Sequence, residues 1–84
     1  MFDILFSDTA KKTLAKLPKE DAERIIVSLE RCRVRPHAFV KKLVASPYFR
    51  LRVGNYRVIL DLKTSQLIVH VLEIAHRKKV YKTL

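Results

Sequence analysis

Three arginines crowd around the only glycine of the chain, in the stretch FRLRVGNYR at residues 49–57. Arg50 and Arg52 precede Gly54, and Arg57 follows it. A two-residue Gly-Asn loop between strand-like runs favours a primed turn, because glycine reaches positive φ without steric cost. That turn sets a register: Val53 opposite Tyr56, Arg52 opposite Arg57, Leu51 opposite Val58 and Phe49 opposite Leu60. Side chains alternate along a strand, so Phe49, Leu51, Val53, Tyr56, Val58 and Leu60 share one face. The arginines share the other. Like charges placed directly opposite one another destabilise a sheet. A face built to hold an anion gives them a purpose, since the planar guanidinium fork matches phosphate oxygens in pairs. The plainer alternative is three side chains that reach out into water.

A second basic stretch, HRKKVY, carries His76, Arg77, Lys78, Lys79 and Tyr81. An imidazole or a phenol can move a proton. Taken alone, His76 reads as an ordinary surface histidine. Cleavage of RNA by its own 2′-hydroxyl needs one group to take the 2′-proton and another to protonate the leaving 5′-oxygen. Fixed cations must meanwhile hold the charge on the phosphorane. His37, His70 and His76 show no metal-ligand spacing and there is no second cysteine, so no metal is expected. With one glycine there is no phosphate-binding glycine loop, and no nucleotide cofactor is expected. Cys32 falls on an apolar helical stripe and reads as a core thiol.

These groups need a scaffold. FDILF (residues 2–6) is rich in strand formers and reads as a first strand. SDTAKKTLAKLP follows as a helix, with Ser7 or Asp8 as N-cap and Ala10, Leu14 and Leu17 on one side. Pro18 ends it and opens a second helix, PKEDAERIIVSLERCRVR, with acids in its first turns and arginines in its last. Ala22, Ile25, Ile26, Leu29 and Cys32 form its core-facing stripe, and Pro36 stops it. PHAFVKKLVASP has no clean period and reads as a loop. After the hairpin comes a further strand, QLIVHVLEI, apolar on both faces and suited to a central position. AHRKKVYKTL is a basic tail with at most one helical turn. The expected fold class is α+β: a β-α-α-β-β-β order, with an antiparallel sheet and two N-terminal helices packed on one face.

The chain has 84 residues, which fits a single small domain spanning 1–84. Its formal net charge is +10, and the charge is segregated. Residues 1–30 carry five Lys and Arg against six Asp and Glu, a net of −1; residues 31–84 carry thirteen against two, a net of +11. Such segregation points to a polyanion or to an acidic protein that neutralises the basic half. A solubility surface would intersperse both signs. The lone cysteine fits a reducing cytoplasm, and no apolar run approaches a membrane span. The N-terminus MFDILF is too short for a signal peptide.

The strand pair YFRLRVGNYRVIL, the last strand and the terminal HRKKVY together resemble the RelE/ParE toxin superfamily, on its RelE side. The resemblance covers nearly the whole chain. It implies a RelE-like fold and a metal-independent, ribosome-dependent mRNA endonuclease acting in the ribosomal A site. Its partners would be the ribosome, the message and a cognate acidic antitoxin that wraps around it, giving a toxin–antitoxin hetero-oligomer in the cytoplasm with no membrane. By the same resemblance, Arg50 and Arg52 take the place of two basic residues before the turn. Arg57 is the arginine of the next strand, and Arg77, with His76 beside it, is the cation at the end of the last. Tyr81 matches a base-stacking tyrosine, and Lys42 matches a basic residue ahead of the sheet. Lys78 and Lys79 add RNA-binding charge.

One position departs from the pattern. Relatives with lysines before the turn are thought to use one as general base, and arginine cannot take that role. The resemblance therefore leaves Tyr81 or His76 to take the 2′-proton, with Arg57 and Arg77 on the phosphorane. Two other readings stand beside it: a ParE-like gyrase inhibitor without catalytic groups, and a non-enzymatic nucleic-acid-binding module.

Overall fold

The computed structural model describes residues 1–76. Five strands, β1 (Asp3–Phe6), β2 (Lys41–Lys42), β3 (Phe49–Val53), β4 (Tyr56–Lys63) and β5 (Ile68–His76), form one sheet in the order β1-β5-β4-β3-β2. Two helices, α1 (Asp8–Lys16) and α2 (Lys19–Arg31), lie between β1 and β2 in the chain. No helix among the described residues is long and apolar enough to cross a membrane.

Local chemistry explains the helix ends. Ser7 is the N-cap of α1: its Oγ accepts from the Ala10 amide at 3.0 Å and donates to the Leu72 carbonyl at 2.7 Å. One side chain thus satisfies an orphan amide of the first turn and ties the helix to β5. Pro18 stands just outside α2 as its N-cap. That helix stops at Arg31, short of Pro36, with Cys32 as its C-cap. Residues 32–35 are therefore not helical, contrary to the periodic reading.

Both helices cover one face of the sheet. Ala10, Ile25, Leu29 and Cys32 meet Leu51, Val53, Val58, Leu60, Val69, Val71 and Ile74 in one buried cluster. Complete burial of side chains such as Ile25 and Leu60 stabilises by roughly 1.5–3 kcal/mol each. Ile26, expected in the same stripe, is 43% exposed, because only Ile25, Leu29 and Cys32 point squarely at the sheet.

The strand order fits the expected architecture, with three refinements. The β2–β5 pairings are antiparallel, but β1 runs parallel to β5, with Ile4 beside Val69 and Phe6 beside Val71. The chain leaves β1 through two helices and a hairpin, so it returns in the same direction. Within the segment read as a loop, Lys41–Lys42 adds a short edge strand to β3. Ala75 and His76 continue β5 instead of opening the tail. β5 is a central strand as its two apolar faces required, flanked by β1 and β4.

Candidate nucleic-acid interface

Gly54 has φ +57°, and Asn55 beside it keeps negative φ, so the hairpin bends through a type II′ turn. The register is the one the turn dictates: Val53 pairs with Tyr56, Arg52 with Arg57, Leu51 with Val58 and Phe49 with Leu60. Leu51, Val53, Val58 and Leu60 are buried beneath the helices. Arg50, Arg52 and Arg57 therefore stand on the face that the helices leave open. Arg52 is exposed, while Arg50 and Arg57 are half-buried along their stems.

Among the described residues, the ion pairs are Arg33–Glu30 at 3.2 Å and Lys63–Asp61 at 3.8 Å. None of the three hairpin arginines takes part. Their guanidinium donors are thus left for a ligand. The turn itself gains another cation: a methyl group built on Gly54 would lie 3.5 Å from Nη1 of Arg24, which reaches over the bend from α2.

β2 decides which lysine joins this face. Lys41 pairs with Arg50, whereas Lys42 pairs with Phe49 and so turns towards the opposite side. Lys42, expected to contact RNA, is on the side of Phe49, and Lys41 is on the side of Arg50. Alternation back from Arg50 could have found it, had the two-residue strand been visible in the sequence. The face is not uniformly basic: Asp61 pairs with His70 and Glu73 with Ile59, which brings two carboxylates towards its far end.

His76 does not join the arginines. It pairs with Tyr56, on the face that carries the helices, and the two rings meet edge-on with centroids 5.1 Å apart. The Tyr56 hydroxyl donates to Oδ2 of Asp21 on α2 at 2.8 Å. That bond to a carboxylate, then partial burial, then the nearby negative charge, together hold the phenol above its ordinary pKa. Arg57, paired with Ala75, faces the other way. Arg77, Lys78, Lys79 and Tyr81 lie outside the described residues. Cys32 is a core thiol as expected, and burial pushes its pKa up, away from the reactive thiolate.

A sheet face that the helices leave open, with three guanidinium groups on adjacent strands that form no ion pair among the described residues, has the chemistry to bind a phosphodiester and stabilise added charge on it. The comparisons with known proteins bear on what that means. The family described as ParE toxin of type II toxin-antitoxin system, parDE, matches residues 4–81. The chain belongs to the RelE/ParE toxin superfamily. Within it, the chain is 30% identical to Toxin RelE3 of Methanocaldococcus jannaschii over 84 residues, covering 93% of each chain. The toxin fold also matches the RelB–RelE antitoxin–toxin complex from Methanococcus jannaschii with a TM-score of 0.76 and 27% identity, over 95% of this chain and 98% of that one. The intact E. coli RelBE toxin–antitoxin complex matches in fold, with a TM-score of 0.80 at 20% identity, over 90% and 96% of the two chains. This is a RelE-like toxin.

Proposed function

We propose that this toxin is a metal-independent, ribosome-dependent mRNA endonuclease restrained by an acidic antitoxin. The observation that carries the proposal is the uncovered Arg50–Arg52–Arg57 face, with no internal ion pair among the described residues. In the proposed reaction the 2′-oxygen attacks the adjacent phosphorus and the bond to the 5′-oxygen breaks. The products are a 2′,3′-cyclic phosphate and a 5′-hydroxyl. Arg57, with Arg77, holds the phosphorane charge, and Arg50 and Arg52 bind the flanking backbone. His76 stands on the helix-covered face against Tyr56, which favours Tyr81 as the group that takes the 2′-proton. Lys78 and Lys79 complete the cationic surface, with Lys41 in place of Lys42.

The antitoxin reading rests on the +11 carried by residues 31–84 and on the structural relatives solved as antitoxin–toxin complexes. An acidic segment laid over the arginine face would neutralise it and block RNA together. Co-expression with the product of an adjacent small gene should give a stable hetero-oligomer without nuclease activity.

The deciding experiment maps transcript ends in a reconstituted translation reaction. Wild-type protein should cut translated message and leave cyclic phosphate ends. Arg57→Ala and Tyr81→Phe should lose most of the rate, while His76→Ala retains it. A second reading, a non-catalytic gyrase inhibitor, is favoured by the parDE description of the matching family. Intact message combined with blocked DNA supercoiling would select it and remove the endonuclease.

A further inference from the structure

The uncovered face carries an aromatic ring as well as cations. Lys41 pairs with Arg50 and Lys42 with Phe49, and the Leu43 amide donates to the Tyr48 carbonyl at 3.0 Å, extending the ladder by one step. Tyr48 lies two residues before Arg50, and strand alternation carried one residue past β3 by the Leu43 bond assigns it to the arginine side. Its amide is also held, donating to Ser46 Oγ at 3.1 Å. The backbone beneath the ring is thus pinned at both polar groups. Tyr48 is 39% exposed, and its hydroxyl makes no hydrogen bond among the described residues.

Position gives the ring a meaning that a stray surface tyrosine lacks. Along β3 and the residue before it, the same side reads Tyr48, Arg50, Arg52, at a spacing of about 6.6–6.8 Å per two-residue step of extended chain. Beyond Arg50, towards Tyr48, β3 carries no further cation on this side. With Phe49 opposite Leu60, the next residue of β4 on this side is Asp61, already engaged by Lys63 at 3.8 Å. Asp61 and Lys63 offset each other there, so this end draws a phosphate less than the arginines do, while a neutral ring suits it. We infer that Tyr48 is a base-stacking platform of this face: a single RNA strand runs along β3 with phosphates on Arg50 and Arg52 and a base laid on the Tyr48 ring. Stacking on an aromatic side chain tolerates any base, because every base has a π-face. The inference rests on the RNA-binding reading above and assigns it a residue that neither the charge pattern nor the tail motif singles out.

The test is equilibrium binding of the full chain to a 2′-O-methyl RNA hexamer, which cannot be cleaved, carrying one 2-aminopurine. Inorganic polyphosphate serves as a probe with phosphates and no bases. Tyr48→Ala should weaken hexamer binding by roughly 5- to 150-fold, the range of a lost base–aromatic stack, and abolish the 2-aminopurine quench. Tyr48→Trp should restore both. Polyphosphate affinity and the salt dependence of binding should stay at wild-type values in Tyr48→Ala, since no cation is removed. The backbone alone makes the ladder and turn bonds, so this variant should fold, and its thermal melt checks that. Hexamer binding unchanged in Tyr48→Ala, while Arg52→Ala weakens it, overturns the platform and leaves the arginine reading standing. A wild-type chain that binds neither probe removes both. Loss of affinity confined to an acidic peptide assigns Tyr48 to a protein partner and also overturns the platform.

Discussion

Replacing Arg52 and Arg57 by glutamine, singly and together, tests the claim that the face is held against its own repulsion. The two residues are paired directly across the hairpin, and glutamine keeps much of the stem while removing the charge. Two unit charges about 8 Å apart repel by about 0.5 kcal/mol in water and about 2 kcal/mol at an effective dielectric near 20. Arg52 is exposed and Arg57 half-buried, so the lower figure governs, within the roughly 0.2–1 kcal/mol of cross-strand pairs. Each single variant should therefore be more stable than wild type by about 0.5 kcal/mol, or about 2–4 °C in Tm for a domain of this size. The second replacement should add almost nothing, because the repulsion has already gone. The assay is a double-mutant cycle from urea melts at low salt, repeated in 1 M NaCl, where a Debye length of about 3 Å erases the coupling. RNA affinity should fall in all three variants. An additive cycle at low salt, or a coupling that survives 1 M NaCl, would refute the reasoning.

Two further outcomes follow from single positions. Gly54→Ala should lose about 1–2 kcal/mol in urea melts, because a Cβ is strained in the left-handed conformation; the nearest atom is 3.5 Å away, so crowding is not the cause. Stability should decline as pH rises past the ordinary values of 9.0 for Cys32 and 10.0 for Tyr56, because both groups are raised in the folded chain. Below those values both states hold the protons; above them the unfolded chain releases protons that the folded chain keeps, which favours unfolding. Tyr56→Phe should lose about 1 kcal/mol near neutrality and show a shallower alkaline decline, read by denaturant melts across pH 8–11. A stability that rises over that interval contradicts the assignment.

The hairpin was legible because one glycine beside an asparagine points to a primed two-residue turn, and either primed turn dictates the same partners from Phe49 to Leu60. Alternation did the rest. Lys41–Lys42 was not legible: two exposed lysines show no pattern, and only pairing with β3 makes them a strand. The side on which His76 falls was hidden for a different reason. The β4–β5 connection passes through a 3-10 turn at Thr64–Gln66 and Leu67 with φ +54°, and the pairing then shifts between Ile59 and Leu60. A leucine gives no signal of positive φ, and a bulge resets the count of faces. Tyr48 went unnoticed because its side of the sheet follows from the Leu43 pairing, within a segment that looks irregular.

The pairing of Asp3–Phe6 with Ile68–His76 has a consequence for how the molecule comes into being. The strand that joins β1 to the rest of the sheet is the last of the five to be synthesised, and its first-made neighbour must wait for it. Until residue 71 emerges, Ser7 also has no carbonyl of Val71 or Leu72 to grip, so α1 has nothing to dock on. Closing contacts this distant in the chain is slow compared with local folding. The finished shape therefore arises after translation of the strands and not alongside it. A cell making this polypeptide has that interval in which to deliver a restraining partner before any competent molecule exists.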